Sequence, residues 1–217
     1  MRKIFIIAFF QLISFYTFSQ KYLSEIQAFE KKDSIDMPPM GKIVLAGSST
    51  FRLWTTYKED LKEFPVINRG FGGSQMSDLN FFFERIVTKY KPKIVLVYEG
   101  DNDLSAGESP DSIFREFKEF VQKVKTQLPT TKIGFCSARP SLARTHLLDK
   151  QKALNESVKQ FCKKNKNVYF LDIQKAFYLP NGELMTDIFV ADKLHMNAKG
   201  YEIWAEETRK FLRKQYK

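Results

Sequence analysis

Histidine and cysteine are scarce in this chain: two of each in 217 residues, His146 and His195, Cys136 and Cys162. Two cysteines with no histidine spaced beside them do not make a metal site. They allow a disulfide in an oxidising compartment or two buried thiols packing as small hydrophobes. Cys136 ends the apolar run Ile133–Cys136, and Cys162 sits beside Phe161 in a helical pattern. Phosphate-cradling loops are missing too. Gly47-Ser48-Ser49-Thr50 lacks the G-x-x-x-x-G-K-[ST] spacing, and no G-x-G-x-x-G follows a strand, so nucleotide binding is set aside. There is no internal repeat and no low-complexity segment.

Long apolar runs are confined to the N-terminus. Arg2-Lys3 precedes Ile4–Phe10 and a mostly apolar continuation to Phe18, before Ser19-Gln20-Lys21. A basic start, a short apolar stretch and small residues ahead of a polar one are the marks of a secretory signal peptide. Gln11 and Ser14 interrupt a run already shorter than the ~20 apolar residues a membrane span needs. Residues 1–19 are therefore expected to be a cleaved signal, with Thr17 and Ser19 in the small-residue positions, and 20–217 a single domain. That places the mature protein in a secreted or periplasmic setting with no stable membrane anchoring.

Losing Arg2 and Lys3 takes the net charge from +10 to +8. Such an excess suits nucleic acid only if it is clustered. Here the lysines (Lys118, Lys123, Lys125, Lys163, Lys164, Lys166) are scattered among acids on helical faces, with no basic-aromatic motif. No nucleic-acid partner is expected; the surface reads as a solvated one.

Apolar runs and helical patterns alternate along the rest. Strands are expected over 42–46, 65–68, 93–99, 131–137 and 168–172, near-continuous in apolar residues as in sheets buried on both faces. Helices are expected over 21–32, 74–90, 109–128 and 149–164, and a last one capped by Asn197 with Tyr201, Trp204, Ala205, Thr208, Phe211 and Leu212 as its apolar stripe. Ser109-Pro110-Asp111 supplies an N-cap, a first-turn proline and a first-turn acid. Five alternations predict an α/β fold, a parallel sheet between helical layers, with ligands beyond the carboxyl ends of the strands.

Each of the first three strands ends in a polar turn with glycine: Gly47-Ser48-Ser49-Thr50, then Asn68–Ser74 with Gly70, Gly72 and Gly73, then Gly100-Asp101-Asn102-Asp103. Near the C-terminus stands Asp192-Lys193-Leu194-His195, where the aspartate is spaced to fix the imidazole tautomer and stabilise its charged form. Taken singly, each turn also reads as a plain cap or tight turn. Together and in this order, from about Lys42 to Gly200, they resemble the SGNH (GDSL-type) hydrolase superfamily.

That resemblance implies a three-layer α/β/α sandwich with a five-stranded parallel sheet of the flavodoxin-like kind, and a serine esterase that needs no metal or cofactor. Carried over by position, Ser49 is the nucleophile and Asp192 and His195 complete the triad. The N–H groups of Ser49 and Gly73 and the side-chain amide of Asn102 form the oxyanion hole. Ser48 stands where the family name has aspartate, leaving Ser48 a competitor as nucleophile, and Gly72 competes with Gly73. The family covers lipases, thioesterases and carbohydrate O-deacetylases. The expected substrates are small-molecule or carbohydrate esters, acetyl esters of carbohydrates first. A lipase, lysophospholipase or thioesterase is the alternative, or a non-catalytic envelope carbohydrate-binding protein on the same fold. Acyl length, alcohol part and oligomeric state are not written in these residues.

Overall fold

Five short strands pair wholly in parallel, β1 Ile43–Gly47, β2 Val66–Gly70, β3 Ile94–Tyr98, β4 Lys132–Cys136 and β5 Val168–Leu171, in the order β2-β1-β3-β4-β5. The computed structural model describes residues 21–216; the signal-like stretch and its expected cleavage point lie outside them. The described chain falls into two compact units, one ending at Met37 and one beginning at Pro38. In the first, helix α1 covers Leu23–Ile35, three residues beyond the 21–32 expected, and ends where Asp36 turns extended with its N–H on the Lys32 carbonyl.

The second unit holds the sheet and eight helices. They are α2 Ser49–Arg52, α3 Tyr57–Asp60, α4 Met76–Phe81, α5 Phe83–Ile86, α6 Asp101–Ser105, α7 Pro110–Gln127, α8 Leu148–Lys163 and α9 Ala198–Gln215. Alternation along the strands sorts the two faces. Ile43, Leu45, Ile94, Leu96, Tyr98 and Cys136 share one core cluster with Trp204, Ala205, Phe211 and Leu212 of α9. On the opposite face Phe135 meets Phe117 of α7, ring centroids 4.8 Å apart. Both cysteines are buried free thiols; burial raises Cys136 and pushes Cys162 up to about 12.

Register aligns the carboxyl ends, Gly47 standing opposite both Gly70 and Tyr98. Strand order reverses between β1 and β3, the place where sheets of this order bind ligands. Gly47 is there because the β3 backbone passes so close: a Cβ would lie 2.2 Å from the Tyr98 carbonyl oxygen.

The helix expected over 74–90 is broken into α4, α5 and a 3-10 turn at Thr88–Tyr90. Asn80 gives the reason. Its backbone carbonyl, which a continuous helix would use, accepts from the Lys123 ammonium (2.7 Å), while its side-chain amide donates to the Glu116 carbonyl (2.9 Å) and ties the turn to α7. The α7 start follows its sequence, with Ser109 Oγ accepting from Ser112 N–H. Among the described residues no helix is long and apolar enough to cross a membrane.

Candidate active site

Ser48 leaves β1 in extended conformation and Ser49 opens α2, a turn that lifts the second serine to the carboxyl rim of the sheet. Ser48 is buried, whereas Ser49 is partly open and its Oγ stands 3.0 Å from His195 Nε2. Of the two serines, Ser49 is the one placed against the imidazole. Phe51 of α2 sits edge-on to Tyr98 and Trp204, so the turn rests on core aromatics.

The other side of the ring is held by Asp192, whose Oδ2 lies 2.6 Å from His195 Nδ1. Its Oδ1 accepts from the backbone N–H of Leu194 (2.8 Å) and of His195 (2.9 Å), closing a tight turn through Lys193 at φ 58°. Partial burial raises the Asp192 carboxyl, but the His195 ring and these two N–H groups outweigh it and bring it down to about 2. An anion there keeps a proton on Nδ1 and leaves Nε2 to accept from the serine hydroxyl.

Three successive carbonyls of this loop are pinned: Lys193 by Ala143 N–H (3.0 Å), Leu194 by Arg139 Nη2 (2.9 Å) and His195 by Val190 N–H (2.9 Å). Asn197 then caps α9, accepting from Gly200 N–H while its amide donates to the Asp187 carbonyl. The loop that carries the histidine is fixed at both ends.

The second and third polar turns meet beside this pair. Gly73 is exposed with φ 76°, a conformation only glycine takes without strain, and a Cβ would meet nothing within 4 Å. Gly72 instead lies against the Arg52 guanidinium. Asn102, in the first turn of α6, donates from Nδ2 to the Ser74 carbonyl (2.9 Å) and accepts on Oδ1 from Arg144 Nη2 (3.1 Å). Beneath them Ser74 Oγ donates to Glu99 (2.6 Å), and Asp103 accepts from Met76 N–H (2.7 Å) and Gly100 N–H (2.9 Å). Burial, with Asp103 nearby, drives the Glu99 carboxyl well above the usual carboxylate range. Burial also lifts Asp103, to about 6, against the pull of its backbone donors.

The structure thus gathers Ser49, Asp192 and His195 into one hydrogen-bonded chain and sets the turns of Gly73 and Asn102 together. His146 is exposed on the 3-10 segment Leu142–Leu147 and takes no part. Arg139, Arg144, Ser74 and Glu99 received no role from the sequence. The signal available for Arg139 was its place, a lone cation at the end of the apolar fourth strand; Arg144 had none beyond lying in a loop that follows a strand end.

The model of the GDSL-like lipase/acylhydrolase family matches residues 44–203. No curated protein matches the chain. Among solved structures, a GDSL-like lipase from Bacteroides thetaiotaomicron superposes with a TM-score of 0.72 at 18% identity, covering 87% of this chain and 97% of its own. A carbohydrate esterase family 3 protein from Talaromyces cellulolyticus gives 0.67 at 19% identity, with 81% and 97% covered. A mutant of an acetyl-xylooligosaccharide esterase from Geobacillus gives 0.62 at 18%, with 81% and 94% covered. These likenesses establish the five-stranded α/β/α architecture.

Proposed function

The chain belongs to the GDSL-like lipase/acylhydrolase family, and from that premise we propose that it is an exported serine esterase acting on short acyl esters, acetyl esters of carbohydrates first. The observation that carries this is the unbroken chain Ser49 Oγ, His195 Nε2, His195 Nδ1, Asp192 Oδ2, with links of 3.0 and 2.6 Å.

In this reading His195 Nε2 takes the Ser49 proton as Oγ bonds to the ester carbonyl carbon, and Asp192 stabilises the imidazolium. The negative oxygen faces the N–H groups of Ser49 and Gly73 and the Asn102 amide. The C–O bond to the alcohol breaks, and the departing oxygen takes the proton from His195. Water, giving a proton to the same nitrogen, attacks the acyl-serine; the second tetrahedral species releases the acid and returns the proton to Ser49.

Support for a carbohydrate alcohol comes from a cavity of about 350 Å³ beside α2 and the start of α9. Its wall is mixed: Leu53, Met196, Ala198 and Tyr201 line it together with the polar groups of Thr55, Thr56, Asp60, Asn197 and Glu202, and no lysine or arginine does. Such a wall favours neutral hydroxylated ligands over anionic headgroups. Two of the structures that share the fold are themselves named as carbohydrate or acetyl-xylooligosaccharide esterases.

The test is a chain-length series of p-nitrophenyl esters followed by acetate release from acetylated polysaccharide. Turnover greatest on acetate, with acetate freed from the polymer, is expected. A maximum at eight carbons or more would move the protein to the lipase or thioesterase reading. No turnover on any ester would leave the binding-protein reading.

A further inference from the structure

We propose that Arg144 is the positioning residue for the Asn102 oxyanion donor: its guanidinium holds the amide carbonyl and so aims the amide N–H. The inference rests on the esterase reading above, and deepens it by adding a residue from a loop outside the four polar turns.

The chemistry of the two contacts locks the amide. A guanidinium can only donate and a backbone carbonyl can only accept. Arg144 Nη2 faces Asn102 Oδ1 at 3.1 Å, and the Ser74 carbonyl faces Asn102 Nδ2 at 2.9 Å. Turning the amide over would set N–H against N–H and oxygen against oxygen, losing both bonds. The NH2 group has two hydrogens. The Ser74 carbonyl takes one, and the geometry of a planar amide fixes the direction of the second. A cation on the carbonyl end also draws electron density from the nitrogen, which makes its N–H a stronger donor.

Arg144 is itself held. Its Nη1 pairs with Asp101, and both side chains are largely buried, 14% and 8% exposed. Asp101 Oδ1 accepts from Gln151 Nε2 (2.9 Å), which also donates to the Arg139 carbonyl (2.9 Å). One α8 side chain therefore links the arginine that fixes the histidine loop to the ion pair that fixes the oxyanion donor. The backbone at Arg144 leaves helical geometry, with φ −127° and ψ 29° inside the 3-10 segment. A lysine could not replace it, because a single ammonium cannot present parallel donors to Asp101 and Asn102 together.

A purely structural ion pair would show up as lost stability alone, so the test is a double-mutant cycle with Asn102. Arg144→Ala should lower kcat on nitrophenyl acetate about tenfold to a hundredfold, less than loss of the donor itself, with KM within about twofold. In the Asn102→Ala background the same change should lower kcat less than threefold, and added guanidinium should restore turnover only where Asn102 remains. Equal losses in both backgrounds would overturn the proposal. If Arg144→Ala does not fold, Arg144→Lys serves, with the side-chain NH2 resonances of Asn102 as a second readout. These are expected to shift in Arg144→Lys, and unmoved resonances also overturn the proposal. They report the contact even in a protein that turns over no ester; absent wild-type turnover with shifted resonances would defeat only the esterase reading.

Discussion

At the scale of single residues, two neighbouring serines compete for one histidine, and the 3.0 Å contact belongs to Ser49. Ser49→Ala should abolish labelling by a fluorophosphonate, whereas Ser48→Ala should keep it. Asn102→Ala should still form an acyl-enzyme, with kcat lower by about 10²–10³. His195→Ala should slow acylation and deacylation alike. Labelling and turnover of the four variants check this; full activity in Ser49→Ala together with its loss in Ser48→Ala would reassign the nucleophile. The pH dependence follows from Asp192. With its carboxyl at about 2 it stays ionised at any working pH, so it contributes no limb of its own.

Ser49, Asp192 and His195 were legible from sequence because each occupies a short pattern next to a strand or helix end. Arg139 and Arg144 were not. They act on partners 55 and 42 residues away, through loops whose approach no local spacing encodes. Position in the first polar turn favoured Ser49 over Ser48, and the turn into α2 separates a buried hydroxyl at Ser48 from an accessible one at Ser49.

At the scale of elements, β1 and β3 were readable as unbroken apolar runs, since parallel strands covered on both faces leave no polar alternation to confuse the pattern, whereas the edge strand β2 carries Asn68 and Arg69 and shows a shorter apolar start. The helix over 74–90 was read too long because periodicity reports which face is buried, and says nothing of a carbonyl diverted to Lys123. The α6–α7 junction carries a consequence for stability. Asp103, Glu108 and Glu116 place carboxylate oxygens within 4.8 Å of one another. Burial lifts Glu116 to about 7, with Glu108 and Asp103 adding to it, and lifts Asp103 to about 6.

Both acids hold protons in the folded chain that the unfolded chain releases near pH 4. Their contribution is complete below about pH 4 and is lost as pH rises to about 7. The fold should therefore lose stability over that window, and Glu116→Gln should lessen the loss. Urea midpoints at pH 5 and pH 8 check it; an identical drop in wild type and variant would show that Glu116 is not responsible.

At the scale of the whole molecule, the strand order puts β1 and β3 side by side, so the turns after them share one rim. The later loop bearing His195 is brought to that rim by α9 packing on the sheet face behind it. The N-terminal stretch makes its own prediction. Material recovered from a secreting host should begin near Gln20, read by N-terminal sequencing; Met1 retained on membrane-bound protein would overturn the proposed export.

The contact between Ser49 and His195 joins positions 146 residues apart. A chain that emerges from its N-terminus carries the serine through most of synthesis with no imidazole to activate it. His195 arrives only with the final segment, and its loop is pinned only once Arg139, Ala143 and the start of α9 are all in place. On the proposed mechanism, a nascent or truncated chain that stops short of His195 leaves Ser49 without its general base.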